Sequence, residues 1–152
     1  MQDTKICKSF KFDEKGTTKN ATFSGAVIAF DAGFLLVPKS MQSQTGATMM
    51  AMFGLLGMLI ASFSNNLKKV QFPYPTITYA ELEQLFPGVG GLGRLKLDQR
   101  IVVLKRDQVL GYTASFWTGV KLVCSGEDVA LMGSKKKIVA ALAEFGYQEH
   151  TA

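Results

Sequence analysis

The sequence is poor in the residues that mark catalytic centres. It has one histidine, His150, and two cysteines, Cys7 and Cys124, far apart along the chain. A histidine so near a chain end is expected in an exposed tail rather than as a general base. The cysteines form no C-x-x-C pair and no zinc spacing. Neither has a local activating partner, which argues against a thiol nucleophile and a metal centre. No H-E-x-x-H and no G-x-S-x-G occurs. The twelve acids are scattered, many in turn-like stretches such as Asp13-Glu14 and Glu127-Asp128. A non-catalytic protein is expected, with no cofactor and no metal.

Charge is missing from one long stretch. Ser40 to Leu67 holds no Asp, Glu, Lys or Arg. Residues 1–40 hold six lysines and four acids, and residues 68–152 hold eleven Lys or Arg and eight acids, within a net charge of +5. A modest basic excess favours anionic partners. No dense arginine cluster accompanies it, and no RNP-type signature, so nucleic acid is not the expected partner. The first residues lack the apolar run of a secretory signal. The expectation is a reducing, cytoplasmic compartment with free thiols, on the inner membrane face if the protein meets a membrane.

What is present fits one domain, residues 1–152. Apolar residues make up 47% and charged residues 19%, a globular balance that argues against disorder. Lys8 to Phe12 suggests a short strand. Thr22 to Asp31, the Asp31-Ala32-Gly33 turn and Phe34 to Val37 suggest a hairpin, with Pro38 as its stop. Phe72-Pro73-Tyr74-Pro75 is extended, because a residue before proline avoids the α region. Thr76 to Tyr79 follows as a strand, then helical turns from Ala80 to Phe86, then a glycine-rich loop. The last third reads as a meander beginning near Arg94, with strands at Ile101–Leu104, Val109–Phe116, Lys121–Cys124 and Val129–Met132. Ser134 is a good N-cap for a closing helix. Ile138, Ala141, Leu142 and Phe145 share one face of that helix, and Gly146 is placed as its stop.

Strands, then a strand meander, then one amphipathic helix resembles the pleckstrin-homology-like domains, especially the GRAM-type and bacterial members. Gly25 to Val37 looks like their opening hairpin. Phe72-Pro73-Tyr74-Pro75-Thr76-Ile77-Thr78-Tyr79 looks like their apolar-Pro-aromatic strand approach. Ile101 to Phe145 looks like their closing strands and capping helix. The resemblance implies a mostly β (α+β) fold, an antiparallel barrel or sandwich with a C-terminal capping helix, and a non-catalytic module that binds membranes or proteins. The chain departs from the family in the uncharged insert, residues 41–66, and no basic phosphoinositide motif can be carried over.

Ala47 to Phe63 is almost wholly apolar and reads as an inserted hydrophobic helix, although Gly54 and Gly57 each lower that preference by roughly 1 kcal/mol. Seventeen residues lie at the short end for crossing a bilayer. A single crossing would also strand the first hairpin on the far side, where its open edges would need partners. The chain should therefore leave and re-enter the domain on one side. Three readings stand: a buried core helix or subunit interface, a helix lying in a membrane surface, and a single-pass span. Five of the seven methionines lie here (Met41, Met49, Met50, Met52 and Met58), and methionine suits adaptable apolar surfaces. Met49, Met52, Phe53, Leu56, Ile60 and Phe63 are the expected membrane or partner contacts. Ala47, Ala51, Gly54 and Ala61 form a small-residue stripe suited to close helix packing, onto the domain's own sheet or a second copy. Lys39, Lys68 and Lys69 flank the insert as candidate phosphate contacts.

Lys135, Lys136 and Lys137 occupy the first turn of the closing helix. Positive charge there opposes the helix dipole, a cost that a bound anion would offset. An ordinary solvated charge run is the simpler account. Gly88-Val89-Gly90-Gly91-Leu92-Gly93 matches G-x-G-x-x-G in letters only. A helical turn precedes it and a strand follows, so a flexible turn is expected rather than a nucleotide site. Tyr112, Phe116 and Trp117 interleave with Lys105, Arg106 and Lys121, an arrangement also found in single-strand nucleic-acid platforms. Core packing is the expected use of these rings. The function expected from these features is that of a membrane-contact, lipid-binding module. The alternative is a self-associating interaction domain with the insert as its interface.

Overall fold

The first strand begins earlier than Lys8. In the computed structural model, which describes residues 3–12, 21–42, 67, 70–89, 92, 94–117 and 119–150, the first strand, β1, runs Asp3–Phe12. It pairs antiparallel with β2 (Thr22–Phe30), which pairs with β3 (Gly33–Gln42). After the insert come β4 (Thr76–Thr78), helix α1 (Tyr79–Leu85) and β5 (Arg100–Lys105). A 3-10 turn at Arg106–Gln108 leads into the β6 (Val109–Ser115), β7 (Gly119–Cys124), β8 (Val129–Met132) meander, and helix α2 (Lys135–Glu144) follows.

The described strands form one open, eight-stranded antiparallel sheet in the order β4-β5-β3-β2-β1-β8-β7-β6. The molecule is mostly β with a C-terminal helix, as expected, but its strands form a single open sheet rather than the expected barrel or sandwich. Pairing of β1 with β8 joins the first meander to the second. At the β6 edge the tail supplies a cover: Tyr112 donates its backbone N–H to the Gln148 carbonyl, and His150 donates to the Tyr112 carbonyl. Edge groups paired in this way are closed to other chains. His150 is exposed as expected, but its backbone is held.

The central strands are buried on both faces. Phe34 and Leu36 of β3, with Val102 and Leu104 of β5, face the main core. Their neighbours Leu35, Val37 and Ile101 face a second core with Ala26, Ile28 and Phe30 of β2. Helix α2 closes the first core through Ile138, Ala141 and Leu142. Leu82 of α1, Phe86, Leu92 and Leu95 cover the second. Two-sided burial explains why Ala26–Phe30 and Phe34–Val37 are unbroken apolar runs rather than alternating ones. In β7, by contrast, burial alternates residue by residue, which marks a strand with one wet face.

Four sequence expectations need correction. Pro38 does not end β3, which continues to Gln42. Gly25 pairs with Pro38 and Ser24 with Ser40, so Lys39 is an extra residue in β3. Proline lacks an N–H and is tolerated where a bulge interrupts the ladder. A Cβ on Gly25 would overlap the Val37 carbonyl oxygen, so only glycine admits this approach. Tyr79 belongs to α1, not to the preceding strand. Thr78 caps that helix in a reciprocal box, its hydroxyl accepting from the Glu81 N–H while Glu81 accepts from the Thr78 N–H. Residues 94–97 are not strand, and the ladder starts at Arg100. Phe116 lies beyond the end of β6. The closing helix matches its pattern: Ser134 caps it, and Gly146 follows with φ +85°.

Candidate functional site at the root of the insert

Three connections leave the sheet close together. Lys11 pairs with Thr22 and Thr22 with Gln42, so the β1–β2 connection and the insert emerge from adjacent strand ends. The returning chain brings Phe72 and Tyr74 against Phe12, with ring centroids 6.0 and 6.3 Å away. The Tyr74 hydroxyl donates to the Glu127 carbonyl at 2.5 Å, which draws in the β7–β8 turn.

The root of the insert is pinned. The Arg100 guanidinium donates to the carbonyls of Leu67 (3.2 Å) and Val70 (2.8 Å) and lies 4.9 Å over the Phe72 ring. The Gln99 amide donates to the Pro38 carbonyl at 2.5 Å. One residue pair thus holds both the outgoing and the returning chain. Between them lies a recess of about 240 Å³, lined by Pro38, Lys39, Leu67, Phe72, Lys96, Asp98, Gln99 and Arg100. Its cations are Lys39, Lys96 and Arg100, against the single carboxylate of Asp98. Lys39 and Lys96 are exposed, and Leu97 beside them is 71% exposed. A basic rim around an apolar floor suits an amphipathic or anionic surface.

Lys39 is therefore at the root, as its flanking position suggested. The other candidate contacts, Met49, Met52, Phe53, Leu56, Ile60 and Phe63, lie outside the described residues. So do the stripe of Ala47, Ala51, Gly54 and Ala61 and the flanking Lys68 and Lys69. Lys135, Lys136 and Lys137 are exposed at the start of α2. They do not join Lys39. Met132 stands in one register row with Ser9, Ser24 and Ser40, three strand spacings from β3, roughly 14 Å. Among the described residues, no helix is long and apolar enough to cross a membrane.

The sequence offered no pattern for Arg100 or Gln99; each looked like an ordinary polar residue before a strand. It also misassigned two rings. Tyr112 is in the core, but Phe116 and Trp117 are 85% and 90% exposed. Both thiols are free and buried. Burial pushes Cys7 up to about 11, and the same cause pushes Cys124 to about 11. Burial, then the neighbouring Cys124, raises Tyr74. Protonated thiols of this kind are poor nucleophiles. Searches of protein-family models, curated proteins and solved structures return no match to the chain.

Proposed function

We propose that the chain is a pleckstrin-homology-like membrane-contact module, non-catalytic, that lays its Met-rich insert into the surface of an anionic bilayer. One observation carries this reading: the insert leaves and returns through a single pinned root, while other segments cover both faces of the central strands. An apolar segment of this length, returned to its starting point, needs an apolar environment. A bilayer surface supplies one without demanding a second crossing. Lys39, Lys96, Lys68 and Lys69 then meet lipid phosphates around the root, each contributing about 1 kcal/mol near an anionic surface. The finer fold name has support in the two meanders joined through β1 and β8 and in the closing helix. A peripheral site on the inner membrane face follows from the same reading.

Co-sedimentation with vesicles containing phosphatidylglycerol tests it. The full chain should pellet with the vesicles, and Phe53→Asp with Leu56→Asp should release it. Unchanged binding in that double variant would sink the proposal. A detergent-free soluble oligomer with no vesicle binding would instead assign the insert to self-association.

A further inference from the structure

Among the described residues, the largest exposed aromatic feature lies away from the root. Phe116 and Trp117 follow the last residue of β6, and Gly119 opens β7. The two rings meet edge to face, with centroids 5.1 Å apart and planes at 90°. A Cβ on Gly119 would meet nothing within 4 Å, so the space beside this residue is open. Burying rings of this size gains apolar stabilisation, yet these two are 85% and 90% exposed.

The surroundings are basic. Val120 pairs with Leu131, so β8 ends at Met132 beside the start of β7. Met132 is 39% exposed. Lys135 follows within about 11 Å of chain, and Lys136 and Lys137 continue the same first helical turn, all three exposed and with no acid beside them in that turn. A Cβ on Gly133 would lie 3.5 Å from Cys7 Cβ, and exposed Lys8 is the next residue of β1. Three lysines in the first turn oppose the helix dipole, a cost that an anionic surface would offset.

We propose that this hairpin tip is a second bilayer contact, in which Phe116 and Trp117 enter the interfacial layer of an anionic membrane and Lys8 and Lys135–Lys137 meet its head groups. A projecting tip fits a deformable surface better than a protein groove. The edge-to-face rings cover one another rather than offering parallel platforms to nucleobases. Trp and Tyr favour the membrane–water interface for their amphipathic rings. The contact is additional to the insert. The tip and the Tyr74-held turn lie at opposite ends of β7, roughly 20 Å apart for a strand of this length.

Trp117 is the sole tryptophan, so its emission reports on the tip alone. The full chain, titrated with vesicles of phosphatidylcholine and phosphatidylglycerol, should shift to shorter wavelength, and brominated lipid should quench it. Phosphatidylcholine alone should produce far less shift. Replacing Lys135, Lys136 and Lys137 by Gln should weaken the response by about tenfold or more. Phe116→Ser should weaken it too, and both variants should keep the far-UV spectrum because the substituted side chains are exposed. A chain that sediments with vesicles while its emission stays unshifted and unquenched overturns the tip contact and leaves the insert reading standing. A shift that persists in Phe53→Asp/Leu56→Asp supports the tip even if the insert reading fails. A shift induced by oligothymidylate and not by vesicles overturns the proposal in favour of nucleic acid.

Discussion

The two ends of β7 make an instructive pair. At one end, Tyr74 ties the β7–β8 turn to the returning insert, and Phe12, Phe23, Phe72 and Tyr74 pack among themselves. At the other, Phe116 and Trp117 pack only on each other among the described ring contacts. Both ends carry aromatic residues and nearby lysines. The difference is in their surroundings: the first set packs together where the chain returns from residues 43–66, and the second stands exposed beyond the end of β6. Aromatic content alone therefore does not separate core from contact surface. Strand position does.

The sharpest way to break this contrast is to truncate one ring from each set. Phe23→Ala removes a fully buried ring and should cost about 3–5 kcal/mol in denaturant unfolding. Trp117→Ala should change stability by less than about 0.5 kcal/mol, because its ring is solvated. Equal effects at the two positions would refute the division.

Next in size is the pin. Arg100→Ala removes two hydrogen bonds to carbonyls and the contact over Phe72, a loss of about 1–3 kcal/mol. Hydrogen exchange should quicken near Leu67–Phe72 and leave β6–β8 unchanged. Thr78→Ala should cost about 0.5–2 kcal/mol by removing the cap of α1, with no effect on vesicle binding.

A separate effect is expected on pH. Cys7 and Cys124 sit near 11 in the folded chain, against an ordinary value of 9.0. Folding therefore favours the protonated thiols. That stabilisation is full below pH 9 and declines as pH rises through about 11. Thermal unfolding midpoints should fall across that window, and thiol reagents should label neither cysteine at pH 8 until the chain unfolds.

Much of the frame was legible before the structure. The β7, β8 and α2 segments carry one-sided burial, so alternation, a Ser cap and a terminal glycine mark them. The doubly buried hairpin of β2 and β3 was also readable, because long apolar runs between turns have few other uses. Pro38 misled, since a bulge is a tertiary accommodation set by the partner strand and Gly25. Phe116 and Trp117 misled for a related reason: a hydrophobic residue is expected inside until the register shows that the strand has ended. Arg100 acquires its role only when Leu67 and Val70 return beside it, contacts made across 33 and 30 positions. The pairing of Lys39 with the insert was visible as flanking charge. Its separation from Lys135–Lys137 depends on the order of the sheet.

On the proposed function, the insert is an external contact segment carried by a frame complete without it. The most direct test of this reading is fractionation of the expressed chain with and without residues 41–66, with the folded state followed by circular dichroism. The account predicts that the full chain pellets with membranes, and that the shortened chain moves to the soluble fraction with its β signature intact, retaining at most the weaker contact of the aromatic tip. A full chain found soluble, together with a shortened chain that unfolds, would contradict it and return the insert to the core.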